Sequence, residues 1–317
     1  MIASLVFSLV VMICGWAGAV QTPSFPTKGK PISWIVGFAA GISPDIGVRL
    51  LAPLIEKELG ASIEVINKAG ANSQLAYTDL ARAKPDGHTI GLIVLPGIST
   101  IYMDPNRKAV FTRKSFIPVA NHVLDPSLWV VLSTSPYKTV KDLVDAALAK
   151  PHTITVSDGG ILGDDHLSIL HLQNLTGAKF SITHMSEGRL PALLGGHTVA
   201  YVGKTGSVLS QIKSGEVRVI GVTSKDEHPF VPGVKTMIAQ GYNYTSYAAR
   251  GYALPADTPK EIVDLWASAM KKAMANEEHL SKMNKQGLSV HFMGPSEYSA
   301  FWEGSEPSIK KLMEMAK

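Results

Sequence analysis

The stretch Val36-Gly37-Phe38-Ala39-Ala40-Gly41-Ile42-Ser43-Pro44-Asp45 decides how this chain folds. The apolar run at 32–38 reads as a strand. It passes through small residues, a serine, a proline and an aspartate into an amphipathic segment. The helix predicted over 45–59 carries Leu50, Leu51, Leu54, Ile55 and Leu59 as one apolar stripe and ends at Gly60. A strand-to-helix turn of this kind aims unpaired backbone N–H groups and the positive end of a helix dipole at one spot. Such a spot favours an anion.

Working outward, the same alternation repeats. Residues 63–66 read as a strand and 73–83 as a helix; 89–95 is a strand entered through the Pro85-Asp86-Gly87 turn. The loops at 38–43, 69–73 and 96–100, the last containing Gly97, follow the carboxyl ends of these strands, where ligands bind in open α/β sheets. A second series has strands at 128–132, 153–156, 180–183, 198–202 and 217–223, with helices at 140–149 and 164–175. The tail turns helical over 260–275, 277–286 and 295–315. This pattern predicts α/β layers with largely parallel sheets in two lobes. Residues 20–124 and 248–317 would form lobe 1 and residues 125–247 lobe 2, with crossings near 120–127 and 243–251. Two lobes whose loop ends face a shared cleft have the geometry of a receptor that closes by a hinge.

Residues 1–18 are almost wholly apolar and uncharged, and Ala17-Gly18-Ala19 offers a small-residue cleavage site. They read as a signal peptide, residues 1–19, cut near Ala19. The alternative, an uncleaved anchor, needs about 20 apolar residues. Cys14, the single cysteine, lies in this leader behind Ile13, where a lipoprotein signal wants a small residue. The mature chain would then hold no disulfide and no thiolate, as suits a bacterial periplasm. The 317 residues suit two modest domains. The formal charge of +4 is scattered, with no basic stripe to bind nucleic acid.

The chemical motifs are few. Gly203-Lys204-Thr205 resembles the end of a phosphate loop, but Thr198 stands where that loop needs a glycine. Lys204 is then either a solvated turn residue or a cation reaching into the cleft. Asp164-Asp165-His166 with His171 could suggest a metal. The two histidines lie about 140° apart around a helix, however, so Asp164 reads as an N-cap and no metal is expected. Ser43 likewise reads as a cap. The chain has no Gly-x-Ser-x-Gly, His-Glu-x-x-His or Gly-x-Gly-x-x-Gly, and neither catalysis nor a cofactor is expected. Trp129, Tyr201, Tyr247 and Tyr252 read mostly as core, with one or two left to wall a cleft.

Six segments in register resemble one known family. They are Val36–Asp45; Ile66-Asn67-Lys68-Ala69-Gly70-Ala71-Asn72-Ser73; Lys84-Pro85-Asp86-Gly87-His88-Thr89; residues 160–167; Ala192-Leu193-Leu194-Gly195-Gly196-His197; and Arg250-Gly251 followed by Pro255. The chain is similar to the periplasmic substrate-binding receptors of tripartite tricarboxylate transporters, the Bug-type receptors. This resemblance implies a two-lobed fold of the type II periplasmic-binding kind, a carboxylate ligand and two membrane subunits as partners of a monomer. It implies ligand contacts at Ala39, Ala40, Gly41, Ser43, Asp45, Asn72 and Ser73 in lobe 1. In lobe 2 it implies Leu162, Gly163, Asp164, Lys204 and Thr205. The chain departs from the family at Ile42, Gly163, residues 185–189, Val199 and Lys204. A ligand of the di- or tricarboxylate or aromatic carboxylate class follows, with Lys204 pairing its distal acid group. A carboxylate sensor feeding a kinase partner is the alternative, on the same fold.

Overall fold

The structure is a computed structural model that describes residues 25–185 and 187–316. The leader at 1–19 lies outside these residues. The elements in order are β1 (Ile32–Val36), α1 (Ser43–Leu59), β2 (Ile63–Asn67), α2 (Gln74–Arg82), β3 (Thr89–Leu95), α3 (Gly97–Met103) and β4 (Phe116–Pro126). There follow β5 (Leu128–Leu132), α4 (Val140–Ala149), β6 (Thr155–Asp158), α5 (Asp164–Thr176), β7 (Ser181–His184), α6 (Arg189–Leu194), β8 (Ala200–Gly203), α7 (Leu209–Ser214) and β9 (Val217–Val222). The chain ends in β10 (Tyr247–Pro255), α8 (Lys260–Met274), α9 (Glu277–Lys285), β11 (Val290–Met293) and α10 (Pro295–Met315).

Two sheets carry the two lobes. The first has the order β11-β4-β10-β3-β1-β2 and the second β7-β6-β8-β5-β9. Each is mixed rather than largely parallel: β1, β2 and β3 are parallel, as are β6, β7 and β8, while β4, β10, β11, β5 and β9 join antiparallel. The departure from expectation has one source. The segments read as crossings at 120–127 and 243–251 fall largely within β4 and β10, which pair along their whole length. The crossing itself is brief. Ser127 alone separates β4 from β5, and its N–H donates to Thr223 Oγ1 (2.8 Å) just past β9 and to the Ser246 carbonyl (3.4 Å) on the returning chain just before β10. Thr223 N–H in turn donates to the Ser127 carbonyl (3.0 Å). The two passages between lobes are thus tied together.

Each lobe has its own core. Trp34 meets Tyr252 and Trp266 edge-on in the first. Trp129 packs with Val140, Val156 and Phe180 in the second. Tyr201 and Tyr252 are buried, and Tyr247 is half-buried beside the crossing. Helix α10 serves both lobes. Its first half buries Tyr298 and Trp302 in lobe 1, and its second half sets Ile309, Leu312 and Met313 against Leu167 and Leu170 of α5. No helix among the described residues is long and apolar enough to cross a membrane.

Candidate functional site

A cavity of about 600 Å³ opens between the lobes. Lobe 1 lines it with Phe38 after β1, with Asn72, Ser73 and Tyr77 around the start of α2, and with Val94 of β3. Helix α3 adds Gly97, Thr100 and Ile101, with Asp104 and Arg107 just beyond. Lobe 2 supplies Gly159 through Asp164, the loop that leads into α5. The N-termini of α2, α3 and α5 therefore meet at one space, which Arg107 also lines, and the N–H groups and dipoles of first helical turns favour an anion.

The sequence-predicted residues separate into two groups. Asn72, Ser73, Gly97, Leu162, Gly163 and Asp164 line the cavity. Ala39, Ala40 and Gly41 are exposed on the loop just past Phe38, while Ser43, Asp45, Lys204 and Thr205 stand behind the wall.

Asp45 shapes that loop from within. It is fully buried, and its carboxylate accepts from Gly41 N–H (2.8 Å), Arg49 Nε (2.9 Å) and Asn67 Nδ2 (2.8 Å). Burial pushes this carboxyl up, and the three hydrogen bonds outweigh it, leaving it below the usual carboxylate range.

Neither expected cap is a cap. Ile42 is the N-cap of α1 and Gly163 that of α5, each without a side-chain hydrogen bond. Ser43 Oγ instead accepts from Arg250 Nη1 (2.7 Å), and Asp164 pairs with Lys204. Both side chains are drawn to cations distant in sequence, Arg250 in β10 and Lys204 just past β8, a pull that local spacing does not reveal.

Those cations belong to a buried network under the cleft. Arg250 pairs with Asp125 (2.7 Å) and Arg189 with Asp165 (3.0 Å). Lys204 pairs with Asp164 and Asp165 and donates to Ser127 Oγ (2.9 Å). Three carboxylates and three cations balance. Burial opposes the Lys204 charge, but Asp164, Asp165 and Asp125 outweigh burial and keep it protonated. Burial also raises Asp165, to about 6, with the like charge of Asp164 adding to it against the pull of Lys204.

Asp158, His166 and His184 place one ligand atom each within 4.8 Å of the others. In the structure His184 Nδ1 bonds both Asp158 oxygens (2.9 and 3.1 Å), and Leu162 N–H donates to His166 Nδ1 (3.0 Å). The histidine that joins His166 comes from β7, not from His171 further along α5. The cluster braces the lobe 2 loop, where Leu162 holds a left-handed φ of 60°.

The opposing loop is braced as well. Ala71, Asn72 and Ser73 take φ values of 48°, 56° and 71°, a left-handed turn that L residues adopt at a cost of roughly 1–2 kcal/mol each. Ser73 Oγ donates to the Gly37 carbonyl (2.8 Å), and Arg107 Nη2 donates to the Ala71 carbonyl (2.6 Å). A Cβ on Gly37 would overlap Ser73, so the glycine permits this approach.

Sequence reasoning missed Thr100, Ile101, Asp104 and Arg107, because residues 96–100 read as a loop. A signal was present: Gly97, Thr100, Ile101 and Asp104 follow the i, i+3, i+4, i+7 spacing of one helical face.

Residues 48–315 match the tripartite tricarboxylate transporter family receptor. The chain belongs to this family. Its fold agrees with a TctC solute-binding protein from Polaromonas at a TM-score of 0.80 and 25% identity, over 92% of this chain and 100% of that one. MatC (Rpa3494) from Rhodopseudomonas palustris with bound malate matches in fold at 0.76 and 23% identity, over 90% and 100% of the two chains. R. palustris Rpa4515 with adipate matches in fold at 0.78 and 21% identity, over 92% and 98%. The receptor is thus a two-lobed solute-binding protein of the TctC and Bug kind.

Proposed function

We propose that this TctC-family receptor captures a small organic carboxylate in the periplasm and delivers it to the two membrane subunits of a tripartite transporter. The observation that carries this reading is the convergence of the α2, α3 and α5 N-termini on one interlobe cavity. A carboxylate docked there meets oriented N–H donors and dipoles, so it needs no buried countercharge of its own. The malate and adipate held by two neighbours of the same fold support an acid of this class. Asn72 and Ser73 from lobe 1 and Leu162, Gly163 and Asp164 from lobe 2 are the proposed contacts. Ala39, Ala40 and Gly41 would join them as the lobes close about the crossings at Ser127 and Ser246. Ser43, Asp45, Lys204 and Thr205 are assigned to holding the walls in place. Closure requires only that the ligand bind the closed arrangement more tightly than the open one.

A thermal-shift panel of carboxylates on the purified protein tests the reading. An acid at about 100 times its Kd stabilises the fold by about 2.7 kcal/mol. Absence of a shift with every di-, tri- and aromatic carboxylate rejects it, as does chemical turnover of the bound acid.

A further inference from the structure

We infer that Arg107 is the anchor for a second acidic group, so that the site selects a diacid with an apolar spacer over the matching monoacid. The inference rests on the carboxylate-receptor reading above. It begins with the charges that line the cavity, which among the described residues are Asp104, Arg107 and Asp164. Asp164 is neutralised by Lys204. Asp104 Oδ1 accepts from Asn106 N–H (3.0 Å) and caps the short turn that carries Arg107. Arg107 is the one cation of the three, and no carboxylate among the described residues pairs with it.

The Arg107 side chain is half-buried and fixed in place. Its Nη2 donates to Ala71, while its own carbonyl accepts from Gln74 Nε2 (2.9 Å). A guanidinium has five N–H donors in a rigid fork, and the Ala71 bond employs one of them. The fork that remains suits a carboxylate, which it binds in bidentate fashion.

Lys204, by contrast, is the cation that the sequence offered for this role, and Asp164 and the buried Asp165 already hold it. Besides Arg107 and the amide-rich loop at 159–164, the cavity is lined by the polar Asn72, Ser73 and Thr100 and by an apolar set that includes Phe38, Val94 and Ile101, with Ile161 of the loop itself. The apolar members of this lining match the methylene or aromatic carbon of a spacer.

Isothermal titration of matched acids tests the inference on the wild-type protein, Arg107→Gln and Arg107→Lys. The pairs are succinate with butyrate, adipate with hexanoate, and terephthalate with benzoate. The wild type is expected to prefer at least one diacid over its monoacid. Arg107→Gln is expected to weaken that diacid roughly 30-fold while leaving the monoacid within about twofold, with Arg107→Lys in between. Equal weakening of diacid and monoacid would reduce Arg107 to a tether for the 71–73 turn, and an unchanged preference would remove it from the site. Either result overturns the inference and leaves the carboxylate reading intact. A wild type that binds monoacids as well as diacids does the same, whereas one that binds no acid rejects both.

Discussion

Lys204 shows how one side chain changes meaning between sequence and structure. Beside Gly203 and Thr205 it suggested an anion-seeking cation, yet its ammonium lies between Asp164 and Asp165 and donates to Ser127. Removing it leaves the buried Asp165 and the half-buried Asp164 as neighbouring carboxylates without their shared cation. Lys204→Met is therefore expected to cost about 3–5 kcal/mol of stability, measured by urea denaturation. The double variant Lys204→Met/Asp164→Asn should recover part of that loss, because it removes one of the stranded charges. A Lys204→Met protein with unchanged stability and weakened acid binding would instead return the ammonium to the ligand. Asp45 carries a similar lesson: a carboxylate at the mouth of a ligand loop can be devoted wholly to shaping that loop.

At the scale of elements, α3 is the unexpected part of the site. Pro96 and Gly97 read as loop, but the chain turns helical there and presents Gly97, Thr100 and Ile101 to the cavity. A Cβ built on Gly97 meets nothing within 4 Å, so this position has room for a side chain on the cavity side of the fold. Gly97→Val is expected to leave the unliganded protein within about 1 kcal/mol of wild type, since the lost backbone freedom of glycine offsets the stiffness of valine. The same variant should weaken acid binding by filling ligand space. Comparing urea midpoints with titrated affinities separates the two effects, and loss of stability without loss of affinity would contradict the placement. The strand pair β4 and β10 is the other surprise. Its residues mix Pro, Asn, His, Asp and Arg with apolar ones, so neither alternation nor a continuous apolar run marks it as strand.

Across the whole molecule, buried histidines set the response to acid. Burial and the neighbouring His279 hold His122 well below its ordinary range, and burial lowers His166, His279, His171 and His228, the last two to about 4. His122 bonds Tyr252 OH (2.7 Å) and His279 Nε2 (2.9 Å), joining β4, β10 and α9. In the unfolded chain these groups bind protons below their ordinary pKa of about 6.5. In the folded chain they resist protonation to lower pH, so the unfolded state holds more protons in that window. Stability should accordingly be level above pH 7 and fall as pH drops from about 6.5 towards 4, by about 1.4 kcal/mol per pH unit for each net proton taken up on unfolding. Asp165 offsets part of the fall, because its raised folded carboxyl binds a proton before the unfolded one does. Denaturation midpoints across this range measure it, and a flat profile would contradict the burial of these rings.

The sequence by itself determined the α/β alternation, the two-lobed class, most helix limits to within a few residues and the loops that face the cleft. Those features rest on local periodicity and on glycine, proline and small residues at strand ends, which act over a few positions. Only the tertiary structure decided which polar side chains face the cavity and which face one another. Ser43 meets Arg250 and Ser127 meets Lys204 across long separations in sequence, and Arg107 reaches back to Ala71. Buried charges seek the nearest opposite charge in space, and proximity in space is set by the packing of sheets and helices rather than by neighbours along the chain. The stretch at 36–45 is, as its sequence indicates, a strand running into a helix, and its Phe38 lines the cavity between the lobes. The charges behind it and the cation at the rim of the cavity became visible once both sheets were in place.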